Sequence, residues 1–364
     1  AMKVGQILSY MEVGLPEETA AVLARLQRGA EPLSGDRVVE VLEAELGAPV
    51  DALFDRFDRE PIASASIGQV HRASFGGREV AVKVRYPEVR ETLEADTRQL
   101  GAIARVASLA TSVDGPALIA ELRERILEEC DYAHEAESQR RFARLLADDP
   151  VLVVPEVIAE RSSAGVLTTV WCEGEPLASV VGLEPSEREA VLGGLARLAW
   201  GMMMEHGVLH GDPHPGNFLV APGPRLVVLD FGCVKELEAE RVERLRGLLR
   251  CMVDGHRGEV MAHATAVGLV PEHGRVDPDE LWDLLDFLGA PYRGPFRFDR
   301  GWWERSMKRW KRPDTSLRHV AMPPDWMWVQ RTLVGLHAVL VGMDVEADLG
   351  PVAREALSTA LAPR

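Results

Sequence analysis

The stretch His210-Gly211-Asp212-Pro213-His214-Pro215-Gly216-Asn217, followed by Leu229-Asp230-Phe231-Gly232, constrains this chain more than any other part of it. Two prolines forbid a regular helix through 210–217, so its polar groups are held on a rigid loop. The apolar run Arg225–Leu229 then reads as a short buried strand that delivers Asp230. An aspartate, an asparagine five residues on and a second aspartate at a strand end form a known oxygen set. Phosphoryl-transfer sites use such a set to hold a substrate hydroxyl and two magnesium ions around a nucleoside triphosphate. Asp212 is the candidate for accepting the hydroxyl proton. Asn217 and Asp230 are the candidate ligands for Mg2+, a hard cation that prefers oxygen. His210, Asp212 and His214 also invite a metal-hydrolase reading, but no further ligand cluster completes one; the histidines are expected to brace the loop.

Composition narrows the class. The chain has 364 residues, enough for two lobes with a substantial core. With 41 Lys plus Arg against 57 Asp plus Glu, the net charge is −16, which disfavours nucleic acid as a partner. The cysteines Cys130, Cys172, Cys233 and Cys251 lack CxxC spacing, so neither a zinc site nor a disulfide framework is expected. The best candidate for a membrane span, around Leu192–Met204, is too short and is broken by Arg197. No signal-peptide pattern is present, and a cytoplasmic setting is expected. Because the chain starts at Ala1, a fragment or processed protein is expected, from which any upstream targeting information would be missing.

Residues 1–50 read as helical, with turns near Gly14-Leu15-Pro16 and Pro32–Gly35. Ser34 heads a helix through Val38, Val41, Leu42 and Leu46. Residues 88–112 and 116–147 read as two helices, and 151–172 as further short strands. From about 183 the pattern is mostly helical, interrupted at 208–234. Between these regions the character changes. Gln69–Phe75 and Glu79–Val84 alternate around Gly76-Gly77, the pattern of a β-hairpin. The small-residue stretch Ala63-Ser64-Ala65-Ser66-Ile67-Gly68-Gln69 before it lets backbone N–H groups approach phosphate oxygens, with Ser64 and Ser66 as further donors. Lys83, in Val80-Ala81-Val82-Lys83, is placed to contact the α/β-phosphates. Such a lysine needs a carboxylate partner. Spacing leaves Glu88, Glu91, Glu94, Glu128, Glu129, Asp131, Glu135 and Glu137 all open. The strand Leu167–Cys172, ending in Glu173-Gly174, is the expected hinge, with Val170 and Cys172 offering backbone groups to adenine.

The loop and Asp-Phe-Gly are similar to those of both small-molecule phosphotransferases, such as aminoglycoside and choline kinases, and atypical kinases. Three further motifs resemble the UbiB (AarF-type) atypical kinase family: Lys3-Val4-Gly5-Gln6, its KxGQ motif; Ala63–Gln69, its alanine-rich loop; and Glu129-Cys130-Asp131, its ExD motif. The resemblance spans residues 3 to 232 in order. It implies an α+β, protein-kinase-like two-lobed fold. The N-terminal extension would cover 1–50, a small mixed-β lobe with inserted helices 51–172, and a helical lobe with the catalytic and metal loops 173–364. It also implies that Glu135 pairs with Lys83, and that Lys3 and Gln6 guard the site near Glu129 and Asp131. Residues two apart on an ideal helix lie roughly 200° apart, so Glu129 and Asp131 cannot both face the site without a bend; Asp131 and Glu135 share a face.

The implied activity is ATP binding and hydrolysis with Mg2+, or phosphorylation of a small or lipid-like molecule, in support of ubiquinone or other isoprenoid-lipid metabolism. Two alternatives stand beside it: a small-molecule phosphotransferase, and a nucleotide-regulated lipid-binding protein. Between Tyr292 and Arg318, basic residues interleave with Trp302, Trp303 and Trp310. Either the aromatics pack inward with the charges solvated, or the segment rests peripherally on an anionic bilayer at the inner membrane face.

Overall fold

The computed structural model describes residues 32–64, 67–91, 130–271, 275–310, 315–321 and 323–362. The expected helices within 1–31 and most of 88–112 lie outside these residues, as do Lys3, Gln6, Ala65, Ser66 and Glu129. Two compact units are present. One holds the described residues up to Arg144, with Val154–Cys172 and Asp230–Cys233; the other holds Leu145–Val153, Glu173–Leu229 and the chain from Val234 onward.

In the first unit, helix α1 (Gly35–Leu46) starts at Ser34, whose hydroxyl accepts from Arg37 N, and ends at Gly47 with φ 73°. Its Val38 and Leu42, four apart on one face, are fully buried. They pack with Leu53 and Phe54, which lie in and just after the short helix α2 (Val50–Leu53), and with one face of a sheet. That sheet is antiparallel in the order β1 (Arg56–Ser64), β2 (Gly68–Phe75), β3 (Arg78–Arg85), β5 (Val166–Val170). Gly76 and Gly77, at φ 59° and 74°, make the β2–β3 turn, which requires left-handed backbone twice. On β3, Val80, Val82 and Val84 are fully buried in the core, so strand alternation sends Lys83 to the opposite face.

Two expectations need correction here. Ala63 and Ser64 belong to β1, paired with Val70 and Gln69, so the small-residue loop is shorter than its sequence suggests. The strand escaped notice because it is mostly exposed and its register shifts around Pro61, which erases the alternation. A single helix over 116–147 is also wrong. The helix α3 (Tyr132–Leu145) begins after Asp131, whose carboxylate accepts from Ala133 N at 3.0 Å. An aspartate that caps the backbone stands outside the helical turns that follow.

The second unit has a sheet ordered β4 (Leu152–Val153), β9 (Arg225–Val228), β8 (Phe218–Ala221), β6 (Glu175–Pro176), with β4 parallel to β9. Helix α4 (Pro185–His206) is buried on most sides, with Trp200, Met203 and Met204 inaccessible, and stops at Gly207 with φ 63°. The chain turns directly into β7 (Val208–His210), which pairs with β10 (Val234–Glu236). Helices α5 (Ala239–Asp254), α6 (Val260–Ala266), α7 (Pro278–Gly289), α8 (Arg300–Trp310), α9 (Pro324–Met343) and α10 (Gly350–Ser358) complete it. Trp302 is buried against Phe287, Phe298 and His337, so this aromatic of the basic segment packs inward. Two of the basic residues are engaged within the protein: Arg293 donates to Met252 O and pairs with Asp286, and Arg297 pairs with Asp344. No helix among the described residues is long and apolar enough to cross a membrane.

Candidate functional site

In the first unit, Lys83 Nζ donates to both carboxylate oxygens of Glu135 at 2.8 Å, and lies 3.3 Å from Asp230 Oδ2. Glu135 is 2% exposed, on the first turn of α3, where the helix dipole favours a negative charge. Its Oε1 also accepts from Phe231 N, and Asp230 Oδ1 accepts from Gly232 N. The Phe231 ring packs on Phe142, which anchors the Asp-Phe-Gly segment to the helix that carries Glu135. A half-buried cation flanked by two buried carboxylates loses little of its attraction to solvent. Lys83 is thereby fixed in direction, with its ammonium at the focus of the two acids.

Tyr132 was missed in the sequence. Its ring lies 4.9 Å from Lys83 Nζ, a cation–π distance. Its hydroxyl also limits what position 68 can hold. A Cβ at Gly68 would lie 2.7 Å from that hydroxyl and 2.3 Å from Val84 O. An aromatic immediately after the Asp131 cap was the available signal. Ile67 is buried and its carbonyl accepts from Tyr86 N, while Gln69 exchanges hydrogen bonds with the backbone of Leu33. Val170 N donates to Glu156 O, so that donor is already engaged; Cys172 follows two residues later, half-buried. Asp131 O accepts from Glu135 N, and its carboxylate serves as the cap.

In the second unit, the loop between β7 and β8 holds Asp212 and Asn217. Asn217 Nδ2 donates to Asp212 O at 3.0 Å and to Asp212 Oδ2 at 2.8 Å. Both residues are buried. Pro215 starts a short turn in which Asn217 N donates to His214 O, and His214 Nδ1 accepts from Gly216 N. His214 therefore braces the loop. With its amide nitrogen committed to Asp212, Asn217 turns its carbonyl oxygen away from that carboxylate. Leu229 N donates to Asn217 O, tying the loop to the end of β9 just before Asp230. Among the described residues, no group of three or more His, Cys, Asp and Glu side chains is arranged to hold a metal ion.

A charged lysine–glutamate pair beside Asp-Phe-Gly, together with an Asp–Asn loop on an α+β two-unit chain, defines a kinase-like protein. The chain matches the ABC1 atypical kinase-like domain over residues 25–264 and belongs to that family. It is 30% identical to the mitochondrial atypical kinase COQ8B of Rattus norvegicus, over 96% of this chain and 69% of that one. It is 30% identical to the mitochondrial atypical kinase COQ8 of Saccharomyces cerevisiae, over 81% of this chain but 60% of that one. Against the Danio rerio COQ8B protein and the Caenorhabditis elegans coq-8 protein it spans 53% and 37% of their lengths. Among solved structures it resembles the complex of Rv3197 with erythromycin from Mycobacterium tuberculosis. The TM-score is 0.75 at 31% identity, covering 99% of this chain and 92% of that one.

Proposed function

We propose that the chain is a magnesium-dependent, ATP-binding kinase or ATPase of the UbiB type that supports ubiquinone or other isoprenoid-lipid metabolism. The observation that carries this reading is Lys83 held between Glu135 and Asp230. Lys83 would contact the α/β-phosphates, with Glu135 fixing its direction. Ala63, Ser64, Ala65, Ser66, Ile67 and Gly68 would cover the phosphates, and Val170 and Cys172 would flank the base. Magnesium, when bound, would neutralise phosphate charge, and Asn217 and Asp230 are the oxygen donors that would hold it. The donor chemistry fits: both offer oxygen, and the Asn217 amide nitrogen is already engaged by Asp212. Asp212 would orient the attacking hydroxyl and take up its proton. Lys3, Gln6, Glu129 and Asp131 would exclude protein substrates. Peripheral contact with an anionic membrane would use the exposed Arg300, Arg305 and Lys308.

The test is ATP turnover by the purified chain with and without magnesium, anionic liposomes and isoprenoid phenols. Turnover that rises with the lipid additions is expected. Asp230→Asn should abolish magnesium-dependent nucleotide binding; unchanged affinity in magnesium would remove Asp230 from the metal site. Similarity to a protein solved with erythromycin favours a second reading, in which the chain binds an apolar small molecule under nucleotide control. Tight nucleotide binding without turnover, together with saturable macrolide binding, would support that reading instead.

A further inference from the structure

Helix α9 (Pro324–Met343) lies wholly outside residues 25–264, yet three of its residues meet the Asp212 loop within the second unit. Arg331 Nη2 lies 3.9 Å from Asp212 Oδ1, with the two side chains 13% and 7% exposed. Thr332 Oγ1 donates to His210 O at 3.5 Å. Gly335 sits against Pro213 so closely that a Cβ there would fall 2.2 Å from Pro213 Cγ. Arg331 and Gly335 are four apart and share one helix face, so the close approach at Gly335 brings the charge one turn earlier up to the carboxylate. The rest of the seam is apolar, lined by Leu195, Leu198, Phe218 and Leu336. Trp328 lies under the guanidinium at 5.6 Å and restricts where it can point.

The two oxygens of Asp212 therefore face different groups: Oδ2 accepts from Asn217 and Oδ1 faces Arg331. We propose that Arg331 is a positioning residue for phosphoryl transfer, fixing the orientation of the Asp212 carboxylate from a helix outside the matched kinase-like domain. This rests on the assignment of Asp212 given above. A 3.9 Å separation is a charge contact rather than a hydrogen bond, so a lysine should preserve much of the effect.

The experiment uses the full chain with Arg331→Met and Arg331→Lys, each also combined with Asp212→Asn. Arg331→Met should lower kcat for magnesium-ATP turnover about 10- to 100-fold, the size of effect that follows from misplacing a reacting group. KM for ATP should stay within about twofold, since the contact lies away from nucleotide binding. Arg331→Lys should recover most of the loss. In the Asp212→Asn background, Arg331→Met should remove nothing further. An unchanged kcat in Arg331→Met, an equal loss in the Asp212→Asn background, or a lysine no better than methionine would each overturn the proposal.

Thermal melts of the same proteins form an independent cycle. Arg331→Met should depress the midpoint less when Asp212 is already asparagine. If the parent chain turns over no ATP, the phosphoryl-transfer reading falls. The contact itself is still decided, because additive midpoint shifts refute it and non-additive ones uphold it. Gly335→Ala provides a second variant, expected to reduce kcat by displacing Pro213.

Discussion

Lys83, Glu135 and Asp230 come from three distant stretches, Lys83 being separated from the two acids by 52 and 147 residues, and they are joined by charge. Asp212 and Asn217 are five residues apart on one proline-stiffened loop, joined by a charge-assisted hydrogen bond that closes locally. The first constellation exists only because strand alternation, a helix start and a strand end converge within one unit. The second is nearly complete once its octapeptide adopts its turn. A constellation made by convergence should fail in stability as well as activity when cut. One made locally should fail in activity with its fold intact.

The sharpest test of that contrast is Glu135→Ala. It removes the buried carboxylate that holds Lys83 at 2.8 Å and leaves Asp230, at 3.3 Å, to balance the ammonium; removing one member of a buried ion pair costs about 3–5 kcal/mol. Denaturant unfolding should record the loss, and turnover should disappear with it. Asp212→Asn keeps the local hydrogen-bond geometry. It should lower turnover by about 10²- to 10⁴-fold, the usual contribution of general acid–base catalysis, and lower the unfolding midpoint less than Glu135→Ala does, since what it loses is the 3.9 Å charge contact with Arg331. If Asp212→Asn instead destabilised the protein as much as Glu135→Ala, the distinction between the two constellations would collapse.

Gly68→Ala should destabilise by about 1–3 kcal/mol, because the added methyl would meet Val84 O and the Tyr132 hydroxyl that packs beside Lys83. Equal stability would show that the β3 backbone at Val84 gives way as well as the Tyr132 hydroxyl. His337 offers a pH test within the second unit. Buried beside Tyr292 and Trp302, it hydrogen-bonds the Tyr292 hydroxyl, and burial holds its pKa down to about 3. The unfolded histidine takes up its proton near pH 6.5, so between about pH 6.5 and 3 the unfolded chain binds more protons. Stability should therefore fall with decreasing pH across that window, at up to ~1.4 kcal/mol per unit from this residue, and be unaffected above it. His337→Gln should flatten that slope in denaturant titrations. The smallest effect is expected for Arg78→Ala. Its pair with Glu156 is about half exposed on both sides, where solvent screening leaves such a pair little to contribute. A large loss there would mean that exposure does not separate this pair from Lys83–Glu135.

The hairpin with its Gly76-Gly77 turn, the Ser34 cap and the strand before Asp230 could all be read directly, because each is a local pattern of side-chain period or turn chemistry. The exposed strand Arg56–Ser64 could not, since exposure on both faces leaves no alternation to detect. The helix start at Tyr132 was hidden for a related reason: Glu128–Asp131 has good helical composition, and only the capping of Ala133 N by Asp131 ends the ambiguity. Pairing of Leu152–Val153 with Leu226–Val227 was likewise invisible, because a two-residue parallel contact leaves no periodic trace.

By itself the sequence determined the loop 210–217, its aspartate and asparagine, and the motif order that marks the family, because prolines, glycines and spacing act over a few residues. The choice of Glu135 among eight acidic candidates rested on resemblance, and the direct contact with Lys83 is a tertiary fact. So are Tyr132 beside that lysine and Arg331 beside Asp212. Each depends on which helix face is buried against which loop, and a chain fixes that only when distant segments compete for the same core.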